Sequence, residues 1–338
     1  MRNTEIVQAG SLLGADGRIA HPGYSKKPYL RYMRKDIRAS RLRIKEWDYY
    51  MVMNDDFGAG FTVSDLGYVR MGSVSFFDFS KPFEHTRTVL EPPDRGSEMP
   101  ESSSEGNVLF KTKDVYISYE PNEEGRLVRC IFRRFHNGSD FKAYIQFKDI
   151  PDESMVIATP WADSDDFYYN QKINCMPASG VIEYDGQLYR LDPEKDSGVL
   201  DWGRGVWPYD SKWYWGTASG FLDGVPFGFN LGYGFGDTSA ATENMIYYNG
   251  KANKLDDVEF VIPPYDMMKP WIITSSDGRI EGVFTPEMDR AADLNMGIIR
   301  SDQHQVFGSF SGTAILDDGT RLHPQNFRCA VEVVANRY

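Results

Sequence analysis

The sequence predicts an all-β protein, built as two antiparallel β-barrels or sandwiches packed side by side, with few short helices. Three observations carry that expectation. Seven Asp-Gly or Asn-Gly pairs, at 16–17, 137–138, 185–186, 223–224, 249–250, 277–278 and 318–319, punctuate the chain. Such pairs readily adopt the positive φ angles of two-residue hairpin loops. Most of them join runs rich in β-branched and aromatic residues, such as VIEYDGQLYRL, whereas helical periodicity is scarce. The runs amount to roughly sixteen to twenty strands. One barrel of that size would leave an open channel, so two smaller units are expected. At 338 residues the chain also exceeds what one hydrophobic core usually covers.

Residues 1–45 open on a short turn and His21-Pro22-Gly23-Tyr24, followed by a basic run from Lys26 to Lys45. Tyr29, Tyr32, Met33 and Ile37 recur there at about helical spacing, which suggests a short helix. The run reads as a solvated amphipathic segment packing across a domain. From Trp47 the runs WDYYMVMN, GAGFTVSDL and YVRMGSVSFFDF alternate aromatic and small residues as a meander does. Glu91 to Gly106, EPPDRGSEMPESSSEG, is rich in turn formers and reads as an exposed loop, or as a mobile flap over a cavity mouth. Strands resume at VLFKTKDVYISYE, LVRCIFRRF and FKAYIQFKD. Ile150-Pro151-Asp152-Glu153 breaks the pattern, which sets the expected domains at 1–155 and 156–338. The second half continues through VIATPW, NCMPASG, VIEYDGQLYRL and the pair KWYWGTASGFL and VPFGFNLGYGF. MIYYNGKANKL, DVEFVIPP, KPWIITSSDGRIEGVFTP and the closing run from Val306 complete it, and EMDRAADLNMG is its best helix candidate.

The formal charge of −12 argues against a nucleic-acid or anionic-membrane partner, since both need a basic face. Cys130, Cys175 and Cys329 lie far apart, as free thiols in a reducing compartment would. There is no apolar leader and no window long enough to span a membrane, so a cytoplasmic location is expected. Nothing in the sequence fixes the oligomeric state.

The chain is organised around Leu200 to Asn244, which holds four of the seven tryptophans, Trp202, Trp207, Trp213 and Trp215, among many glycines. Large rings need a wall and glycine lets backbone approach closely, so this mixture suits the lining of a cavity. Asp201 and Arg204 read as a proton donor with its electrostatic partner, or as a pair tying two loops at a barrel rim. Asp237, Thr242, Glu243 and Asn244 can supply an acid and a base, while short polar side chains also serve loop backbone. His304, followed by Gln305, is a proton carrier near neutrality or a hydrogen-bonded histidine at a strand end. Trp202, Trp207, Tyr209, Trp213 and Trp215 read as ring-stacking residues or as ordinary core. In a strand, Trp213 and Trp215 face one wall together. No zinc-ligand spacing, P-loop, dinucleotide fingerprint in the right context or nucleophile elbow occurs, so neither a metal nor a cofactor is expected.

NCMPASG, LDWGRGVWPY, GFGDTSAATEN and HQVFGSFSGT together resemble the bacterial family catalogued as domain of unknown function 2804, over nearly the whole chain. More distantly, GVIEYDGQLYRL, Asp201-Trp202-Gly203 and Trp213-Tyr214-Trp215 resemble the lipocalin-like double-barrel proteins. That group includes carotenoid hydratases of the hydroxyneurosporene synthase type and tocopherol cyclases. The resemblance implies two lipocalin-like barrels and greasy polyene or prenyl substrates. The usual Asp-His before Trp-Gly is reduced here to Asp201 alone, which weakens transfer of proton-donating chemistry. Three functions are therefore expected in turn. The first is binding of an apolar or amphipathic small molecule in a β-barrel cavity. The second is cofactor-independent isomerase, hydratase or cyclase chemistry by acid catalysis, and the third is a carbohydrate-binding or sugar-active role.

Overall fold

Four of the Asp-Gly and Asn-Gly pairs close two-residue hairpins. Both residues of Asn137-Gly138, Asp185-Gly186, Asp223-Gly224 and Asn249-Gly250 have positive φ, and each pair joins consecutive antiparallel strands. The computed structural model describes residues 2–94, 98–295 and 300–337. Among them are 25 strands, more than the sixteen to twenty expected. The excess comes from pieces of two or three residues inside runs read as loops, such as Gly10–Ser11, Leu30–Arg31 and Arg321–Leu322.

Apart from a short parallel pair, Gly10–Ser11 with Leu30–Arg31, the strands form two curled antiparallel sheets that pack together as barrel-like units, an all-β architecture. The first sheet runs in the order Phe83–Glu91, Arg70–Asp78, Phe57–Asp65, Ile44–Met53, Ser197–Val206, Phe167–Tyr184, Ser139–Phe147, Gly125–His136, Val115–Asn122, Val108–Lys111. The second runs Lys251–Lys254, Met245–Tyr248, Val225–Tyr233, Asp210–Leu222, Phe327–Arg337, Arg300–Ile315, Ile280–Asn295, Trp271–Ser275, Val258–Val261. The chain passes from one sheet to the other at 207–209. Residues 156–206, expected with the C-terminal half, complete the first sheet. A loop such as 150–153 breaks strand pattern without ending a sheet.

Both helix expectations give way to other structure. Glu287 to Asn295 belongs to the 16-residue strand Ile280–Asn295, paired with Arg300–Ile315, and the rest of that candidate, 296–297, lies outside the described residues. A long ladder overrides the local preference of EMDRAAD for helix. The basic run holds only two 3-10 turns, Arg34–Asp36 and Arg41–Arg43. Its cations bind carboxylates instead: Arg34 to Glu46 at 2.8 Å, Arg43 to Asp166 at 2.8 Å and Lys26 to Glu153 at 3.6 Å.

The loop after Glu91 is not simply exposed. Met99 and Ser103 are buried, and the carbonyls of Met99, Pro100 and Ser103 accept hydrogen bonds from Arg34, Arg204 and Arg126. The described part of the loop is thereby tied into the first barrel, and 95–97 lie outside the described residues. The start of the chain crosses the other way. Arg2 pairs with Asp257, Asn3 with Asp256, and the Thr4 amide donates to Ala240.

Each sheet encloses a core of its own. In the first it includes Tyr50, Phe61, Phe76, Phe132 and Phe141, and in the second Phe229, Trp271, Phe284 and Phe310. Two further clusters lie between the sheets, one with Tyr168, Cys175, Met245 and Tyr247, the other with Met51, Phe77, Met288 and Phe307. Central strands are therefore buried on both faces, as the pattern of Ile44–Met53 shows.

The sheets are fastened by polar groups at the NCMPASG segment. A register shift between Ile173 and Met176 turns Asn174 toward the second sheet. There its Nδ2 donates to Thr217 Oγ1 at 2.8 Å, Ala218 O at 3.0 Å and Phe229 O at 3.1 Å. Cys175 adopts φ 60°, and its amide donates to Ser219 Oγ at 2.6 Å. Ser219 in turn donates to Gly198 O at 3.0 Å. All these side chains are buried, so losing one partner leaves the others unsatisfied. Asn174→Ala is expected to lower unfolding free energy by about 1–3 kcal/mol, measured by denaturant titration. A change within error would show that the staple carries no stability.

Candidate functional site

The staple and the two interface clusters hold one row of residues from each sheet face to face. On the first sheet, cross-strand pairing lines up Lys172, Asp201, Tyr49 and Thr62. On the second it lines up Gly232, Trp215, Glu332, Gln305 and Arg290. Glu243 joins the second row because Gly232 has no side chain: a Cβ there would lie 2.4 Å from Glu243 Oε1.

Lys172 Nζ and Asp201 Oδ2 form an ion pair at 2.7 Å, and Asn170 Nδ2 donates to Asp201 Oδ1 at 2.6 Å. Lys172 also stands 4.7 Å above the Trp215 ring, which meets Tyr49 edge-on at 6.4 Å. Trp215 Nε1 donates to Asn230 Oδ1 at 2.8 Å, and Asn230 Nδ2 donates to Glu243 Oε2 at 3.3 Å. Gln305 Nε2 and Trp213 Nε1 point at the Glu332 carboxylate, at 3.4 and 3.5 Å. Arg290 Nη1 reaches across the interface to Ser75 Oγ at 2.7 Å. Gly232 and Glu332 are two strands apart, about 10 Å along the row.

Burial pushes the carboxyls of Glu243 and Glu332 above the ordinary glutamate value, and the Asp201 charge adds to this in both. Lys172 opposes the shift in both, and Arg290 opposes it at Glu332. The Tyr49 phenol is pushed up to about 12, mainly by the same loss of solvent. All three are surrounded by protein, yet part of each side chain is still reached by solvent. They line a recess between the sheets rather than solid core.

Above this polar row the walls are aromatic. Trp47 stacks on Tyr168 at 6.1 Å and meets Trp207 edge-on at 5.3 Å. Phe235 lies against Trp161, Tyr168, Trp207 and Trp213, at 4.9, 4.9, 5.6 and 5.3 Å. Below the row Met51, Val199, Met288, Phe307 and Ala330 close the floor. Two concavities on the first unit's surface, of about 510 and 320 Å³, are open and share no residue with this row.

The residues expected from sequence divide between this recess and other places. Asp201, Glu243, Gln305, Trp207, Trp213 and Trp215 come together in it. Arg204 does not pair with Asp201, because residues three apart in a strand face opposite ways. It points into the first barrel, donating to Asp48 Oδ1 at 2.9 Å and stacking over Trp202 at 4.2 Å. Trp202 itself packs there against Tyr32 and Tyr169. His304 faces the second barrel's interior side, with Nδ1 2.7 Å from the Asp289 carboxylate. Asp237 lies in a loop, where the Ser239 amide holds its carboxyl below the usual range. Thr242 and Asn244 secure the loop ahead of Glu243: Thr242 Oγ1 donates to Leu255 O at 3.1 Å and Asn244 Oδ1 accepts from Gly232 N at 2.6 Å. Tyr209 is 51 % exposed. Sequence reading missed Tyr49, Asn170, Lys172, Asn230, Arg290 and Glu332. The available signal was a lone charge inside an apolar run, as in CAVEVVA and QKINC.

A family model described as Domain of unknown function (DUF2804) matches residues 3–338. The chain belongs to the DUF2804 family. Among curated proteins none matches the sequence of this DUF2804 chain. Among solved structures, kievitone hydratase from Nectria haematococca is similar at TM-score 0.50 and 10 % identity, covering 86 % of this chain and 88 % of that one. A putative AttH from Nitrosomonas europaea is similar at TM-score 0.48 and 14 % identity, over 86 % and 92 % of the two chains. CghA with Sch210972 is similar at TM-score 0.43 and 11 % identity, over 97 % of each. At such identities the likeness to kievitone hydratase establishes a shared double-barrel fold and leaves chemistry to the residues. Among the described residues of this DUF2804 protein, no group of histidine, cysteine and acidic side chains is arranged to hold a metal, and no helix is long and apolar enough to cross a membrane.

The raised carboxyls make a pH-dependent prediction. A glutamate whose folded pKa lies above its unfolded value favours folding fully below the unfolded pKa, about 4.3. That contribution is lost as pH rises through the folded value. Glu243→Gln, a neutral mimic, should therefore melt at or above wild type at pH 8, and the difference should shrink toward pH 4. A variant that melts lower at pH 8 than wild type would contradict the desolvation argument.

Proposed function

We propose that this protein is an isomerase, hydratase or cyclase that acts by acid catalysis on an unsaturated apolar or amphipathic substrate, with no cofactor in the reaction. The observation behind this reading is the pair of glutamates, raised by burial, that face the Asp201–Lys172 ion pair in an aromatic-walled recess. Burial shifts both toward the neutral form, which suits Glu243 as a proton donor, while Arg290 opposes the shift at Glu332 and suits it as the acceptor. Among the described residues neither glutamate has a basic atom within ion-pair distance, unlike Asp201.

In this reading the apolar part of the substrate lies among the rings and its reacting double bond or carbonyl stops at the polar row. Glu243 protonates it. Glu332, which feels the Arg290 charge, takes a proton from the neighbouring carbon, or from a water that adds to the cationic carbon. The first course isomerises or cyclises the substrate and the second hydrates it. In each, one proton enters from Glu243 and one leaves to Glu332. The surrounding indoles stabilise the positive charge that develops. The hydratase named as a structural neighbour falls in the same reaction class. Half-buried carboxyls among aromatic rings suit this chemistry better than the open, wet groove a sugar-active protein would need.

The test is an incubation in D2O with an apolar metabolite extract of the host, followed by mass spectrometry. Wild type should convert a component and place deuterium on its carbon skeleton. Glu243→Gln should keep melting temperature and ligand binding near wild type. Glu243→Gln should lose turnover by about 10²–10⁴-fold. Retained turnover in Glu243→Gln would remove it as the acid, and ligand enrichment without conversion by wild type would leave a binding protein.

A further inference from the structure

A strand with one solvated face alternates apolar-in and polar-out, and the later strands of the first sheet do so with exceptions that gather in one place. In Gly125–His136, Val128, Cys130 and Phe132 belong to the barrel core, yet Ile131 points out. In Ser139–Phe147, Phe141, Ala143 and Ile145 belong to it, yet Tyr144 points out. In the hairpin that Phe167–Tyr184 makes with Gln187–Leu191, Ile182, Tyr184 and Leu191 turn inward while Val181 and Leu188 turn outward. Ile131, Tyr144 and Leu188 are 44, 53 and 58 % exposed.

Cross-strand pairing sets Tyr116, Ile131, Lys142, Glu183 and Leu188 in one row, and Arg129, Tyr144, Val181 and Arg190 in the next. All but Arg190 line the larger surface concavity, of about 510 Å³. A connected apolar face of this kind marks an interaction site.

The charges on the face show what covers it. Lys142 Nζ and the Glu183 carboxylate, on adjacent strands, lie 3.1 Å apart in the middle of the first row, both half-exposed. Arg129 at the rim is bound to Glu120. These polar groups already have partners within the chain, so they offer a small ligand no unpaired anchor. A second copy matches them. When one face is turned over about a line running along the strands between Ser139–Phe147 and Phe167–Tyr184, Lys142 comes to face Glu183 of the second copy, and Glu183 its Lys142. By the same rotation Ile131 faces Leu188 and Tyr144 faces Val181. Arg129 and Arg190 fall opposite each other at the rim, where water screens them.

We propose that this face joins two copies of the chain about that two-fold axis. A patch that complements itself is what such a contact requires, and sheets pack face to face in this way.

The test is sedimentation velocity on the full chain over a concentration series. Wild type should be a dimer. Lys142→Glu and Glu183→Lys each set like charges across the axis, and each should weaken the dimer about tenfold or more. An equimolar mixture of these two variants should recover wild-type affinity, since one copy then presents two carboxylates and the other two ammonium groups. Pairing within a single chain gains nothing from mixing. Ile131→Asp should also be monomeric, and it decides the matter if a charge variant fails to fold. A wild type that stays monomeric at about 100 μM overturns the proposal and leaves the face to another occupant. A mixture no more dimeric than its components overturns it too, as does any of the single variants dimerising as wild type does. The face shares no residue with the recess, so the result is separate from the reaction proposed above.

Discussion

The register shift at Asn174 is the constraint on which the rest of the architecture depends. Two curled sheets with apolar outer faces can slide over one another at little cost, since hydrophobic burial has no direction. Hydrogen bonds do have direction. By giving three acceptors of the second sheet one buried amide, the shift fixes how the rows above it meet. The Lys172–Asp201 pair then stands over Trp215, and Glu243 and Glu332 fall on either side. The strained φ of Cys175 costs about 1–2 kcal/mol, a modest penalty for fixing one alignment.

The first barrel shows a different use of buried charge. Arg204 binds Asp48 and the carbonyls of Trp47, Gly203 and Pro100, so its donors are largely consumed by structure. Asp48 is raised by burial despite the guanidinium beside it. Such an arrangement is costly to break and leaves little to offer a ligand. The site between the sheets keeps two carboxyls, Glu243 and Glu332, that are half-buried and without a guanidinium or ammonium in ion-pair contact among the described residues. That contrast separates scaffold from site within one strand, Ser197–Val206, whose alternate residues serve each.

Much of the fold was legible because turn chemistry is local. Asn137-Gly138 or Asp223-Gly224 needs only its own φ angles to announce a hairpin, and aromatic alternation announces the strands. The tryptophan-rich stretch likewise marked the wall of the site, and Glu243 was found with it. What could not be read was which way each residue faces. Where both faces of a strand are buried, as in Ile44–Met53, alternation no longer separates inside from outside. Asp201 and Arg204 were paired on spacing for that reason, although a strand sends them to opposite sides. Tyr49, Lys172, Arg290 and Glu332 come from four distant strands, and only the ladder brings them into one row. EMDRAAD was misread for a related reason, since a 16-residue ladder is a long-range fact.

The crossing of the chain between the two units has a consequence for how the molecule comes apart. Its first residues are bound to the 240 and 256–257 segments of the second sheet, while residues 156–206 are threaded through the middle of the first. A single scission at 207–209 leaves each sheet all its own strands, so the pieces would be held together by the ties of the first residues and by the packing between the sheets. Melting is thus a property of the pair, and the halves of the recess are made and lost together.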